Sequence, residues 1–252
     1  MYRKAVNYLR GQAVAEVVCT APERVVNLCA AHGITPVESV LAEQQWEQSG
    51  QENYPPQEIG NSLVVLPVWL ADSYETNRKK IILDPGIAFG TGYHPTTQMV
   101  VEEMEDRLFP GCTCLDLGSG SGILSIAALL LGADRAVACD IDEKCMDVAY
   151  ENAALNGIGK DRYTVLVGNV LSDGALRAQL GGGYDVVVAN IVADVIIGLA
   201  PMVRQFLKPG GLFLCSGIID TRADEVAEAL RQNGWTIEAT RSGEGWFSYA
   251  CR

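Results

Sequence analysis

Two acidic residues follow short apolar runs of the sequence at a spacing that suits a nucleotide-like ligand. Asp116 begins the turn "DLGSGSG", with a glycine at every second position, and Asp140 ends the next apolar run, "AVACD". A glycine turn between a strand and a helix lets the backbone approach a ligand closely. An acid at the end of the next strand can accept hydrogen bonds from ribose hydroxyls. Together they predict a ligand site at the carboxyl edge of a sheet.

The spacing of the glycines separates two classes of ligand. The dinucleotide fingerprint G-x-G-x-x-G requires a glycine at position 123, where this chain has Ile123. The turn instead places Asp116 two residues before Gly118, with Gly120 and Gly122 after it. A carboxylate in this place would repel a pyrophosphate, but it suits a ligand with a positive amino group and a sulfonium. The pattern favours S-adenosylmethionine over NAD, with a turn that binds no ligand as the alternative.

A second unusual segment is "LDPGIAFGTGYHPTT", residues 83–97. Its glycines and prolines exclude a regular strand or helix, and Thr96 or Thr97 can cap the helix that follows. Such a segment is either a structural turn or a loop that closes over a ligand. Its His94 is the only candidate in these motifs that titrates near neutrality. Hydrogen bonding within the loop is the alternative role for this residue.

The elements that must position these residues alternate along the chain. Apolar runs at 113–117, 136–140, 163–168, 184–190 and 212–218 predict strands. Helical patterns cover 122–133, 142–157 and 195–207, the last with a possible kink at Pro201, and "TRAD" at 221–224 matches a capping box for another helix. Runs at 235–241 and 246–251 predict an antiparallel hairpin. We expect an α/β fold with a mostly parallel sheet covered on both faces.

The beginning of the chain follows a different pattern. Residues 1–45 predict a β-α-β fragment, with strands at 13–19 and 34–40 and a helix at 22–33, a small α+β appendage that is too short to be stable alone. Residues 46–80 predict a polar linker followed by "SLVVLPVWL", a strand expected at a sheet edge because it contains Pro67. The sheet domain is then expected over residues 81–252.

Composition excludes several classes of function. Nineteen basic and 31 acidic residues give a net charge of −12, which argues against direct nucleic-acid binding and is compatible with a basic protein partner. No apolar run approaches the roughly 18–20 residues of a membrane span. Eight cysteines and no secretory pattern predict a reducing, cytoplasmic location. Cys112 and Cys114 do not have zinc-site spacing, and two histidines are too few for an obvious mixed site, so we expect no metal.

The motifs "DLGSGSG", "CDID" and "VVVANI" resemble those of class I S-adenosylmethionine-dependent methyltransferases. With "LDPGIAFGTGYHPTT", they resemble the bacterial PrmA-type family, which modifies lysines and the amino terminus of ribosomal protein eleven of the large subunit. The resemblance runs from about Leu63 to the C-terminus. It implies a Rossmann-like seven-stranded sheet with a C-terminal antiparallel hairpin, S-adenosylmethionine as cofactor and a basic ribosomal protein as substrate. It implies no oligomeric state.

The resemblance also implies roles for individual positions. Phe89 and His94 would lie in a loop that folds over the cofactor, and Asn190 and His94 are the candidate catalytic residues. The full cofactor set is Phe89, Thr97, Asp116, Gly118, Gly120, Asp140 and Asn190. Thr97 has the alternative of a helix cap, and Asn190 that of a turn residue.

The choice of substrate depends on two further features. Asn190 is followed by "IVAD" and not by the Pro-Pro-aromatic sequence of amide and base methyltransferases, so an aliphatic amine fits better. The family has a full ferredoxin-like docking domain before the linker, and residues 1–45 have room for about half of one. A small amine or a different protein is therefore the alternative substrate. A module that binds without turnover and an oxidoreductase are the other classes considered.

Overall fold

A computed structural model describes the backbone of residues 3–9 and 12–18, and both backbone and side chains of residues 54–85 and 92–252. The chain divides into two compact units, Met1–Gly50 and Gln51–Arg252. In the first, β1 (Arg3–Leu9) pairs antiparallel with β2 (Gln12–Val18). β2 coincides with the predicted strand, whereas the patterns above do not predict β1. The helix and the second strand expected at 22–40 lie outside the described residues.

A small three-stranded sheet opens the second unit. Its strands are β3 (Gln57–Ile59), β4 (Leu63–Pro67) and β5 (Lys79–Leu83), in the order β3-β4-β5. β4 is therefore the central strand, which corrects the expected edge position. Pro67 is accommodated because it is the last residue of β4 and leads directly into the 3₁₀ turn Val68–Leu70. Residues 51–80 thus belong to the same compact unit as the large sheet.

The large sheet has seven strands in the order β11-β12-β10-β9-β6-β7-β8. β12 is antiparallel to both of its neighbours and the other pairs are parallel, which confirms the predicted architecture. From β6 the chain adds β7 and then β8 on one side of this strand. It then crosses to β9 on the other side of β6, so the direction in which strands are added reverses between β6 and β9. Ligands bind at such a reversal in open α/β sheets. The strands are β6 (Thr113–Leu117), β7 (Arg135–Asp140), β8 (Tyr163–Val167), β9 (Tyr184–Asn190), β10 (Leu207–Ile219), β11 (Ile237–Gly243) and β12 (Trp246–Cys251).

Six α-helices lie in residues 54–85 and 92–252 and cover the two faces of this sheet. The first three contribute to one apolar layer and the last three to the other. Buried cysteines serve as small core residues in both layers, such as Cys114 in one and Cys215 in the other. The helices are α1 (Pro95–Arg107), α2 (Ile123–Leu131), α3 (Glu143–Leu155), α4 (Gly174–Leu180), α5 (Ala193–Leu199) and α6 (Ala223–Gln232).

Several helix ends differ from the sequence predictions. The N-cap of α1 is His94, not a threonine, because the His94 ring accepts the backbone N–H of Thr96. α5 ends at Leu199 instead of continuing with a kink, since a proline at 201 cannot continue the backbone hydrogen bonding. The predicted capping box at 221–224 is wrong: residues 220–222 form a 3₁₀ turn, and Arg222 at the N-cap of α6 makes no side-chain cap bond. α4 is absent from the predictions.

Within the described parts of the chain, every helix falls short of the length and apolar character that crossing a bilayer requires.

Candidate functional site at the carboxyl edge of the sheet

The glycine turn between β6 and α2 adopts a conformation that few other residues tolerate. Gly118, Gly120 and Gly122 have φ values of 81°, 50° and 80°. The N–H groups of Gly118 and Ser119 both donate to the carbonyl of Cys139, at 2.8 and 3.2 Å. A Cβ on Gly118 would lie 2.8 Å from Cδ1 of Ile191. The turn therefore packs tightly against the segment that follows β9, with its backbone at the reversal point.

Asp140 joins the glycine turn to the end of β7. Its Oδ2 accepts the backbone N–H of Gly120 at 2.9 Å, and its Oδ1 accepts the N–H of Asp142 at 3.0 Å. The next residue, Ile141, is 70% exposed, which is unusual for a large apolar side chain beside a polar turn. Ile141 is not among the residues predicted from the sequence, although its place directly after the acid that ends β7 is a signal that identifies it.

Asp116 lies beneath the turn and is fully buried. Its Oδ2 accepts two hydrogen bonds from Ser125, from the backbone N–H at 3.2 Å and from the hydroxyl at 2.8 Å. Its Oδ1 and the hydroxyl of Ser119 lack a hydrogen-bond partner among the described residues. Burial raises the pKa of Asp116 to about 7, and the bonds from Ser125 oppose that rise. The buried carboxyl is therefore divided between its two protonation states near neutral pH.

Asn190 and Thr97 meet although 93 positions separate them in the sequence. Nδ2 of Asn190 donates to the hydroxyl of Thr97 at 3.1 Å. Thr97 is 2% exposed in the first turn of α1, and Asn190 is the last residue of β9. The backbone N–H of Ile191 then donates to the carbonyl of Ser216 at 3.0 Å, which ties this end of β9 to β10. The hydrogen bond to Thr97 orients the Asn190 amide beside the glycine turn.

His94 has a structural task, the hydrogen bonding within its own segment that was its alternative role in the sequence. Nδ1 accepts the backbone N–H of Thr96 at 3.3 Å and lies 2.7 Å from the Thr96 hydroxyl. With the Nδ1 lone pair so engaged, the neutral ring has its proton on Nε2. The ring also makes an edge contact with Trp246, with 4.7 Å between ring centroids. His94 thereby links the start of α1 to the start of β12.

Apolar surface surrounds this second group of residues. Val192 is 61% exposed after β9, and Ile219 is 44% exposed at the end of β10. Ile219 pairs with Trp246 across the β10–β12 ladder. None of the three residues is predicted from the sequence, because an apolar side chain at a strand end has the same pattern whether it is packed or exposed.

The structure thus brings together most of the predicted site residues. Backbone of Gly118 and Gly120, the carboxylate of Asp140 and the Asn190–Thr97 pair lie along one edge of the sheet. Phe89 lies outside the described residues. In the described ranges, no group of three or more His, Cys, Asp or Glu side chains is placed to hold a metal ion.

These residues fit S-adenosylmethionine on structural grounds. Gly118 has no room for a side chain beside Ile191, so only its backbone lies at the carboxyl edge of the sheet, and Oδ1 of Asp116, which lacks a partner among the described residues, is an acceptor behind it. When bound, the cofactor supplies a methyl group already activated by the sulfonium. The carboxylate of Asp140 suits ribose hydroxyls, and Ile141 offers an apolar surface for a base.

The chain is similar to known proteins over most of its length. The family model described as ribosomal protein L11 methyltransferase (PrmA) matches residues 6–252, further toward the N-terminus than the motifs alone indicated. The ribosomal protein L11 methyltransferase of Pseudomonas paraeruginosa is 41% identical over 212 residues, or 84% of this chain and 69% of that protein. That of Limosilactobacillus fermentum is 39% identical over 240 residues, or 93% of this chain and 72% of that protein.

A solved structure extends the comparison to three dimensions. The crystal structure of a ribosomal protein L11 methylase from Lactobacillus delbrueckii subsp. bulgaricus superposes with a TM-score of 0.71 at 33% identity. The alignment covers 79% of this chain and 98% of that one. The chain therefore belongs to the ribosomal protein L11 methyltransferase (PrmA) family of S-adenosylmethionine-dependent methyltransferases.

Proposed function

We propose that the chain methylates amino groups of a large-subunit ribosomal protein, on lysine side chains, the N-terminal amine or both. The names of its relatives indicate ribosomal protein L11 as the substrate. The observation that carries the proposal is the oriented amide of Asn190, held by Thr97 at 3.1 Å beside the glycine turn. This amide would be a neutral acceptor for the amine beside the activated methyl group.

The half of the site around β6 and β7 would hold the cofactor. Asp140 would accept the ribose hydroxyls, and the backbone of Gly118 and Gly120 would lie against the ligand. Ile141 would cover the base through its exposed apolar surface. Asp116 would face the positive end of the cofactor from below the turn.

The half around β9, β10 and β12 would receive the amine. Val192, Ile219 and Trp246 form an apolar surround for the methylene chain of a lysine. Transfer of an ammonium group into such surroundings lowers its pKa, which favours the neutral amine that can attack. Because Nδ2 of Asn190 donates to Thr97, Oδ1 would accept an N–H from the amine and align it with the methyl group.

His94 would act by position. Its Nδ1 lone pair caps α1, so in this tautomer Nε2 is a donor and cannot accept the proton of an ammonium group. We propose that His94 places Thr97 and Trp246 around the amine, and that water removes the proton before attack. His94 then affects catalysis without serving as general base.

The proposed partner follows from charge. A net charge of −12 suits a basic ribosomal protein and disfavours direct contact with a nucleic acid, and we propose that the reaction takes place in the cytoplasm.

Residues 1–45 would be a docking element for the protein substrate. Deletion of residues 1–50 at the boundary of the compact unit should raise the KM for the protein and leave cofactor affinity nearly unchanged.

The direct test is mass spectrometry of purified ribosomal protein L11 after incubation with the enzyme and S-adenosylmethionine. We expect the mass to increase by about 14 Da, the mass of CH₂, for each added methyl group. The Asn190→Leu variant, with cofactor affinity measured in parallel, is the control. If L11 stays unmodified while a small amine or another protein gains methyl groups, the alternative substrate class is correct.

A further inference from the structure

Asn152 is a buried polar residue that the site described above does not include. It lies in α3 and is 1% exposed, between the buried Ala149 and Ala153. Burying an amide is unfavourable unless its groups find hydrogen-bond partners. Both do: Nδ2 donates to the carbonyl of Ser121 at 3.0 Å, and Oδ1 accepts the backbone N–H of Asp84 at 2.9 Å.

The two partners belong to different segments of the site. Ser121 lies in the glycine turn, between Gly120 and Gly122, and Asp84 is the first residue after β5. One side chain therefore fixes the distance between the turn and the end of β5. The task needs a donor and an acceptor on the same planar group, which a leucine lacks and which an ionised aspartate cannot supply because it has no donor.

We propose that Asn152 is a positioning residue for the cofactor site. By holding the Ser121 carbonyl it keeps the glycine turn in the conformation whose backbone faces the cofactor, before the cofactor arrives. It contacts neither the cofactor nor the reacting atoms and acts through the turn. The proposal rests on the cofactor site of the family and is independent of which amine is methylated.

The chain offers a matched control one helical turn later. The amide of Asn156 binds Ile82 in β5, with Oδ1 accepting its N–H at 2.8 Å and Nδ2 donating to its carbonyl at 2.7 Å. Nδ2 also donates to the backbone carbonyl of Asn152 at 2.7 Å. Asn152 and Asn156 thus have the same side chain and each binds backbone in or just after β5, but only the Asn152 side chain reaches the glycine turn.

The experiment compares Asn152→Leu with Asn156→Leu in the full chain. Calorimetric titration with S-adenosylmethionine and with S-adenosylhomocysteine gives affinity, and thermal melts give stability. We expect both variants to lose several degrees in Tm, since Asn152→Leu gives up two hydrogen bonds to backbone and Asn156→Leu gives up three. Asn152→Leu should weaken cofactor binding at least tenfold, whereas Asn156→Leu should stay within about twofold of the unmodified chain.

A second variant keeps the test decisive if Asn152→Leu does not fold. Asn152→Asp has nearly the same shape and retains an acceptor for Asp84, but its ionised form, which titration at alkaline pH favours, cannot donate to Ser121. It should therefore weaken cofactor binding as well. Unchanged affinity in Asn152→Asp, or equal affinity losses in the two leucine variants, would overturn the proposal. Because only cofactor binding is measured, a wrong protein substrate would not affect the outcome.

Discussion

The two halves of the carboxyl edge, one around β6 and β7 and the other around β9 and β12, differ in the charged groups that they contain. Around β6 and β7 the site has two carboxylates, Asp116 and Asp140, next to the glycine turn. Around β9 and β12 it has the Asn190 amide and the His94 and Trp246 rings. A positive cofactor is stabilised by nearby carboxylates, whereas the same groups beside the amine would hold it as an unreactive ammonium. In the proposed arrangement, one sheet edge would bind a cation and still receive a neutral nucleophile.

The halves also differ in what holds them in place. The β6–β7 half depends on local backbone geometry, that is, on the positive φ angles of the glycine turn. The β9–β12 half depends on long-range packing of α1 against the C-terminal hairpin. His94 contacts Trp246 at one end of α1. At the other end, Arg241 of β11 pairs with Glu102, Glu103 and Asp106, at 3.1, 2.6 and 2.8 Å.

The largest expected effect of a single substitution lies at the contact between β10 and the end of β9. Gly217 of β10 has φ of 84°, and a Cβ there would lie 2.5 Å from the Ile191 carbonyl oxygen. Since backbone cannot yield easily, Gly217→Ala should lower the free energy of unfolding by about 3 kcal/mol or more. Urea unfolding with the control Gly210→Ala checks this.

Gly210 makes the control informative. It has φ of 74°, but a Cβ there would meet no described atom within 4 Å. Gly210→Ala should therefore show only the left-handed strain of about 1–2 kcal/mol. Equal losses in the two variants would mean that contact with Ile191 does not fix the end of β9.

The second effect belongs to the β6–β7 half. Asp140→Ala removes the acceptor of the Gly120 N–H and the proposed partner of the ribose. A charge-assisted hydrogen bond contributes about 1.5–3 kcal/mol, so cofactor affinity should fall roughly tenfold to 150-fold. Calorimetric titration of the folded variant measures this. An affinity equal to that of the unmodified chain would remove Asp140 from the site.

The difference between local geometry and long-range packing also explains what the sequence could predict. Gly118 and Asp140 belong to a contiguous strand–turn–helix pattern, and the fold follows from the same alternation of strands and helices. The Asn190–Thr97 bond, by contrast, depends on how α1 docks against β9, so the resemblance supplied the residues but not the contact. Trp246 and Asn152 were missed because an aromatic residue in a strand and a polar residue in a helix have no distinctive local pattern. The capping box at 221–224 failed because a 3₁₀ turn competed for the same residues.

A smaller effect belongs to the β9–β12 half. Trp246→Leu removes the ring contact with His94 and part of the apolar surround of the amine. Aromatic pairs contribute about 0.5–1.5 kcal/mol, so the KM for the protein substrate should rise by about threefold to tenfold. Cofactor affinity should change by less than about twofold, because Trp246 lies in the other half of the site. A loss of cofactor affinity as large as the rise in KM would show that the two halves are not separate.

The smallest effect concerns the protonation state of the Asp116 carboxyl. Burial raises its pKa to about 7, above the ordinary value of 3.8, so the contribution of this group to stability is present below about pH 4 and is lost as the pH rises through 7. If a positive group of the cofactor faces the carboxyl, binding lowers that pKa again and releases up to about half a proton at pH 7. Affinity should then rise with pH by no more than about threefold per unit near neutrality, and Asp116→Asn should abolish the dependence.

Calorimetry in buffers with different ionisation enthalpies counts the protons. S-adenosylhomocysteine, which lacks the sulfonium charge but keeps the amino group, shows which positive group is responsible. If the heats are independent of buffer for both ligands, Asp116 supports α2 through Ser125 and does not sense the cofactor, and the charge contrast between the halves rests on Asp140 alone.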